Sequence, residues 1–224
     1  MKQAEVSRAT IGRIPTYLKY LKSIRHRETI SATTLAHALG LGEVQVRKDL
    51  SAVSGAGRPR VGYHTRQLIR AFESFLSGDD SLVVIAGAGK LGRALLDYGG
   101  FDEYGLHVAA AFDIAVQTAE QSNTGKPVFP MRELADFCRT HAVRIGVIAV
   151  PAEAAQSVCD QFLTCGIQAI WCFAPCMLHV PEGFPVQYEN MALSLAHLNK
   201  KIQCAEAPEQ NAQPDLKPER TSIL

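Results

Sequence analysis

Leu82-Val83-Val84-Ile85-Ala86-Gly87-Ala88-Gly89-Lys90-Leu91-Gly92-Arg93-Ala94-Leu95 reads as a buried strand, a tight glycine turn and the first turn of a helix. Gly87, Gly89 and Gly92 fit the spacing G-x-G-x-x-G, and each glycine has a mechanical reason. The first permits the turn, the second lets the backbone approach a pyrophosphate, and the third allows close helix–strand contact. A helix beginning at Lys90-Leu91 offers free N–H groups and a positive dipole end to phosphates. The motif by itself is weak, since many matches are no more than tight strand–helix turns, so its surroundings must decide.

Working outward, Val108-Ala109-Ala110-Ala111-Phe112 reads as the second strand of a βαβ unit, and Asp113 follows it. Asp113 stands at the offset of roughly 20 residues expected of a ribose-binding acid. Its carboxylate would accept hydrogen bonds from ribose hydroxyls and repel a 2′-phosphate. No basic residue follows until Lys126, so the expected ligand is NAD(H) rather than NADP(H). The alternative is an aspartate that merely caps a loop.

Further strands are expected at Arg144–Val150, ending in Pro151, and at Gln168–Phe173, with a helix at Met131–Cys138 before the first and one at Ala152–Cys165 between them. Alternating helices and continuous apolar strands imply an α/β unit with a parallel sheet covered on both faces. Val150 and Pro151 then belong on the carboxyl edge, where such sheets bind ligands. Tyr188 to Ile202 reads as a last helix. The segment from Cys204 to Leu224, with Pro208, Pro214 and Pro218 among polar residues, is expected to be disordered.

The net charge of +1 conceals an asymmetry. Residues 1–77 carry 13 Lys and Arg against 5 Asp and Glu, and the remainder carries 10 against 17. A basic amino-terminal third on an acidic body points to nucleic acid meeting that third only. There Pro15 is expected to start a helix with Tyr17, Leu18, Leu21 and Ile24 on one face. Ser31 caps a second helix that ends at Gly40, and a third begins at Glu43, giving helix-turn-helix. In the third helix Val46, Leu50 and Val53 point inward. Val44, Arg47, Lys48 and Ser51 point outward, with Gln45 beside them, offering donors to base edges and charges to phosphates. A solvated helix face is the plain alternative. Gly55 to Tyr63, with Arg58 and Arg60, reads as a hairpin wing able to lie along a phosphate backbone or in a minor groove. The expected division is 1–77 winged helix, 78–186 Rossmann-like domain, 187–203 carboxyl-terminal helix and 204–224 tail.

Other classes fare less well. No run approaches the ~20 apolar residues that span a bilayer, and the amino terminus lacks a signal-peptide pattern, so the cytoplasm is expected. Of the six cysteines, Cys172 and Cys176 lie near His179, but the missing fourth ligand argues against zinc. A small NAD-dependent dehydrogenase would need a proton-transfer residue near the nicotinamide. His107, His141 and His179 are scattered and lack a supporting acid pattern.

The chain over roughly residues 13–200 resembles the Rex redox-sensing transcriptional repressors. The likeness rests on Ile14-Pro15-x-Tyr17-Leu18, Val46-Arg47-Lys48-Asp49-Leu50, Gly57 through Tyr63 and the glycine stretch above. It continues in Tyr98-x-Gly100-Phe101, Phe112-Asp113, Val150-Pro151-Ala152 and Phe173-Ala174-Pro175. The resemblance implies a homodimer on a palindromic double-stranded DNA operator, released by NADH with NAD⁺ competing weakly, and a carboxyl-terminal helix swapped between subunits. It also implies that Tyr98 takes part at the nucleotide site. The family's usual arginine is Lys19 here, its usual aspartate is Ala192, and an asparagine is Cys172. Pro59-Arg60 replaces the more usual Arg-Gly of the wing. Those departures leave open a DNA-binding relative with weakened redox coupling.

Overall fold

The computed structural model describes residues 6–78 and 80–206. The expected disorder of the tail falls mainly on residues 207–224, which lie outside the described residues. In chain order the amino-terminal unit comprises α1 (Arg8–Ser23), β1 (Thr29–Ile30), α2 (Ala32–Leu39), α3 (Glu43–Ser54), β2 (Tyr63–His64) and α4 (Thr65–Leu76).

Helix α1 starts earlier than its proline suggests. Ser7 Oγ accepts the Thr10 N–H at 3.1 Å as an N-cap, and Pro15 lies inside the helix. Proline there removes one backbone donor. The turns before it are held from outside, because Thr10 and Arg13 both bond to Asp49 of α3. Helix α2 has the expected ends: Ser31 Oγ accepts from Thr34 N–H, and Gly40 takes the left-handed conformation at φ 64°. Ile14, Tyr17, Leu21, Leu35, Val46, Leu50, Leu68 and Phe72 form one buried core under these helices.

The wing is smaller than a hairpin of its own. Arg58 and Gly62 form a single antiparallel bridge, while β2 pairs with β1 rather than with a second wing strand. The glycines explain this. At Gly62, φ +84°, a Cβ would lie 2.4 Å from the Ile30 carbonyl oxygen, so the strand is drawn tightly onto β1.

The second unit holds β3 (Ser81–Ala86), α5 (Lys90–Leu96), a 3-10 turn (Gly99–Tyr104), β4 (Leu106–Asp113), β5 (Glu120–Gln121) and β6 (Pro127–Pro130). It continues through a 3-10 turn (Met131–Glu133), α6 (Leu134–Thr140), β7 (Val143–Ile148), α7 (Ala152–Thr164), β8 (Ala169–Cys172) and β9 (Val186–Tyr188). The sheet order is β5-β6-β4-β3-β7-β8-β9, parallel throughout except for β5. Counting from β3, the six parallel strands have the 3-2-1-4-5-6 order of a Rossmann sheet, whose direction of winding reverses between β3 and β7. Alternate residues of β3 face opposite ways: Val84 and Ala86 toward α6 and α7, Val83 and Ile85 toward α5.

Three short strands differ from the expected elements. β6, flanked by Pro127 and Pro130, pairs with β4 over Ala111–Asp113 on one side and with β5 on the other. β5 is a two-residue antiparallel edge on β6. Tyr188, expected to begin the last helix, instead ends β9, the outermost parallel strand beside β8. The helix α8 (Met191–Glu206) begins after Asn190, whose side chain accepts the Leu193 N–H at 2.9 Å, and it runs past residue 203.

Candidate functional site

The reversal between β3 and β7 opens a crevice at the carboxyl ends of these strands. Gly87 sits there at φ +99°, and a Cβ on it would lie 2.5 Å from the Ala149 carbonyl oxygen. A Cβ on Gly92 would collide with the Gly87 carbonyl. Nothing lies within 4 Å of the corresponding position on Gly89, the residue that opens α5, so its open side faces the crevice. The three glycines therefore divide their duties as their spacing requires: chain crossing, open backbone and close helix contact.

The resulting cleft has a volume of about 350 Å³, and Gly87, Gly89, Asp113, Val150 and Pro151 all line it. Asp113 ends β4 and braces the loop as well as facing the cleft. Its Oδ2 accepts the Ala88 N–H at 2.6 Å, and its Oδ1 accepts the Ala115 N–H at 2.8 Å. A carboxylate oxygen has a further lone pair, so both oxygens can still receive ribose hydroxyls. Loop capping and ligand binding are thus compatible in one side chain. Arg93 closes the loop from behind: its Nε donates to the Ala88 carbonyl at 2.9 Å, and the same guanidinium pairs with Glu120.

Ala88 and Gly92 are buried in the loop's support, Leu91 is half-buried, and Lys90 is exposed on the first turn of α5. Tyr98 is not brought to the cleft. It lies past the far end of α5, 58% exposed, at the head of an aromatic row. Tyr98 meets Phe101 at 5.0 Å between centroids, Phe101 meets Trp171 at 5.9 Å, and Trp171 meets Phe173 at 4.5 Å. Met131, Ser157 and Gln161 do line the cleft and were not foreseen. They reach it only through the parallel topology, and no local spacing marks them.

Among the described residues lining the cleft there is no histidine. His107 Nδ1 lies 2.8 Å from Asp102, which raises its pKa, with Asp80 adding to the effect. His141 stacks on Phe137 at 4.1 Å, and the His179 N–H donates to Gln156. Among the described residues, no His, Cys, Asp and Glu cluster can hold a metal ion. No helix among them is long and apolar enough to cross a membrane.

A second concavity lies on the basic unit. A groove of about 410 Å³ runs between α3 and the wing, lined by Arg47, Ser51, Arg58 and Arg60 together with Ser31 and Thr33 at the start of α2. Four residues expected at nucleic acid thus share one groove. Ser51 Oγ lies 3.4 Å from the Tyr63 hydroxyl, tying α3 to the base of the wing. Gly57 lets the Tyr63 ring approach, since a Cβ there would fall 2.8 Å from it. Arg47 is exposed and pairs with Glu43 one turn back. Lys48 is exposed outside the groove lining. Gln45 turns toward α1, where its amide oxygen can accept from Arg13 Nε at 2.8 Å, so it is partly occupied within the protein.

The residue missed here is Asp49. It is 4% exposed and accepts hydrogen bonds from Arg13 Nε at 2.7 Å, Tyr17 at 2.7 Å and Thr10 at 2.9 Å. Burial pushes its carboxyl upward, but the bonds from Arg13, Tyr17 and Thr10 outweigh it and hold the pKa below the usual range. Burial and Asp49 together push Tyr17 up to about 12. The recognition-helix candidate is therefore anchored to α1 by a desolvated, fully bonded carboxylate.

Comparison with known proteins covers both units of the chain. Residues 5–51 match the family described as putative DNA-binding protein N-terminus, and residues 79–176 match the CoA binding domain family. A redox-sensing transcriptional repressor Rex from Porphyromonas gingivalis is 37% identical over 86% of this chain and 89% of its own length. One from Streptomyces coelicolor is 39% identical over 85% of this chain and 75% of its own. The crystal structure of RSP with β-NAD⁺ and operator DNA superposes at TM-score 0.79 and 28% identity, covering 91% of this chain and 95% of that one. RSP with β-NADH gives TM-score 0.80 over 91% and 97% of the two chains.

Proposed function

Since the chain belongs to the Rex family of redox-sensing transcriptional repressors, we propose that it represses transcription by binding operator DNA as a homodimer and lets go when NADH occupies the cleft. It then reports the NADH/NAD⁺ ratio and is not an enzyme. The observation that carries this reading is the pairing, on one chain, of an Asp113-braced glycine loop with a basic groove between recognition helix and wing. The nucleotide lies with its pyrophosphate over Gly87–Gly92, its ribose on Asp113 and its remainder along Val150 and Pro151. Ala88, Lys90 and Leu91 supply the loop and helix start. On DNA, Arg47 and Lys48 serve base edges or nearby phosphates, Ser51 and Gln45 flank them, and Arg58 and Arg60 take the wing contacts. NADH need only prefer the subunit arrangement that cannot dock, and each ~1.4 kcal/mol of preference changes operator affinity about tenfold.

Helix α8 supports the dimer. Met191, Leu193, Leu195, Leu198 and Ile202 are all more than half exposed, an apolar load that a lone helix does not leave in water. Exchange of α8 between subunits would cover it. A palindromic operator and a cytoplasmic setting follow from the same reading. Operator affinity measured at fixed salt across NADH/NAD⁺ ratios tests it; affinity indifferent to the ratio removes the sensing function.

A second reading keeps DNA binding and weakens the relay. Lys19 and Ala192 are both exposed, and alanine offers no carboxylate to pair with a cation. If the relay has lapsed for that reason, Lys19→Arg with Ala192→Asp restores dependence on NADH. Wild-type protein that already responds fully argues against it.

A further inference from the structure

Ala88 is held by both of its peptide groups. Its N–H donates to Asp113 Oδ2 at 2.6 Å, and its carbonyl accepts from Arg93 Nε at 2.9 Å. Nη2 of the same guanidinium pairs with Glu120 on β5, the edge strand that runs antiparallel to β6. Asp97 closes α5 one turn further on. Its Oδ1 accepts the Thr124 hydroxyl at 2.6 Å and the Thr124 N–H at 3.3 Å, from the turn joining β5 to β6. Arg93 and Asp97 stand four residues apart and so share a face of the helix. The β5–β6 hairpin therefore grips α5 at two points. Arg93, Asp97, Glu120 and Thr124 all lie outside the lining of the nucleotide cleft.

We propose that Arg93 and Glu120 are positioning residues for the dinucleotide. Glu120 holds the Arg93 guanidinium where it draws back the Ala88 carbonyl, and this presents the Gly89 N–H to the pyrophosphate. In a trans peptide the carbonyl and the following N–H point to opposite sides. A carbonyl turned onto Arg93, away from the cleft, thus turns the Gly89 N–H toward it. Gly89 lines the cleft, with nothing within 4 Å of its open side. Asp113 fixes the preceding peptide plane, so both planes around Ala88 are set before the ligand arrives. The proposal rests on the reading that the phosphates lie over Gly87–Gly92.

The chemistry of the pair suits holding better than it suits charge. A guanidinium is planar and its N–H donors diverge in a fixed fork, so one side chain serves the Ala88 carbonyl and the Glu120 carboxylate together. A lysine there would keep the charge and lose the fork. Arg93 is 39% and Glu120 47% exposed, so the ion pair adds little to stability and variants of either residue are expected to fold. A cation acting on the phosphates through charge alone would be poorly served by Glu120, whose negative charge offsets it. Removing Glu120 therefore has opposite signs under the two roles. Nucleotide binding weakens if Arg93 positions the loop and tightens if Arg93 acts as a bare cation.

The test titrates the full-length protein with NADH by fluorescence, and with ADP and adenosine by competition against NADH. ADP carries the pyrophosphate and adenosine does not. Glu120→Ala and Arg93→Lys are each expected to weaken NADH and ADP about three- to tenfold, the size of one ordinary hydrogen bond, and to leave adenosine within about twofold. Glu120→Gln keeps an oxygen that accepts the same guanidinium N–H, so it is expected to restore NADH and ADP to within about twofold of wild type. Tighter NADH binding in Glu120→Ala overturns the proposal in favour of a bare cation. Unchanged binding in both weakening variants reduces the pair to an idle surface contact. Adenosine weakened as much as ADP would mean a general loosening of the nucleotide unit, which also overturns it. Wild-type protein that binds neither NADH nor ADP would put the nucleotide reading itself at fault, and the proposal would fall with it. Normal wild-type binding with unaltered variants overturns the positioning alone.

Discussion

Arg13 Nε and Asp49 Oδ2 lie 2.7 Å apart, and Arg13 also reaches Asp49 Oδ1 at 2.9 Å, a two-pronged pair joining α1 to the recognition helix two residues past Arg47. Asp49 is buried and Arg13 is one-quarter exposed, so solvent reaches only the cation's outer side. Asp49→Ala leaves a guanidinium, a phenol and a hydroxyl facing an empty place. Breaking a buried pair costs about 3–5 kcal/mol, and partial exposure of Arg13 puts the expected loss near the lower end. Urea denaturation followed by far-UV circular dichroism reads it. A loss smaller than an ordinary surface substitution, under ~0.5 kcal/mol, would show that the pair does not anchor the helix.

The same cluster sets an alkaline limit. Tyr17 titrates near 12 in the folded chain against an ordinary 10. The folded form thus holds its proton more tightly. The stabilisation is complete below pH 10 and disappears as pH rises from 10 to about 12. Asp49 acts at the other end: its depressed pKa contributes stability above the ordinary carboxylate range, lost as pH falls through the folded value. Tyr17→Phe should lower stability at neutral pH and flatten its decline above pH 10. An unchanged alkaline slope in the variant sinks the assignment.

How much of this was legible in the sequence varies with distance along the chain. The glycine turn, Asp113 and the outward face of α3 were readable because each is a spacing within one βαβ unit or one helix. Asp49 left a signal: it lies three residues after Val46 and just before Leu50, on the face meant for the core. A carboxylate there demands partners, and Arg13 is 36 residues away. Met131, Ser157 and Gln161 left none, because only the sheet topology brings them to the cleft. Pro15 misled about α1, since tertiary bonds through Asp49 hold turns that local rules would end.

Asp113 should matter twice to nucleotide affinity, through the ribose and through the Ala88 N–H it holds at 2.6 Å. Hydrogen bonds to a charged group are worth about 1.5–3 kcal/mol, so Asp113→Ala should weaken NADH binding by roughly 10- to 150-fold. Discrimination against NADPH should shrink with it, because the repelling charge is gone. Fluorescence titration with both nucleotides measures the two effects. NADH affinity within a factor of about two of wild type would remove Asp113 from the site.

Gly92 allows a sharper separation of the two functions. Its Cβ-less face lies against the Gly87 carbonyl, so Gly92→Ala must push α5 away from the loop. Overpacking of this kind costs about 1–3 kcal/mol, within the range a folded domain survives. NADH binding should be lost while operator binding without nucleotide persists. Loss of both together would mean that the loop supports the fold of the DNA-binding unit instead of serving the nucleotide.

Arg60 makes the last case. It is the sole non-glycine with positive φ among the described residues, at +63°, and it sits exposed at the wing turn beside Pro59. Such a conformation costs an ordinary side chain of order 1–3 kcal/mol, which glycine escapes. The turn would therefore be better served by glycine if it had only to close the Arg58–Gly62 bridge. A cation held there against the backbone's preference fits the wing contact with DNA proposed for it. Arg60→Gly should leave stability unchanged or raise it by up to ~1 kcal/mol. Operator affinity should fall, and the dependence of log K on log salt should lose about one unit if Arg60 meets a phosphate. Equal affinity and equal salt slope in the glycine variant would mean that the strained arginine touches no DNA.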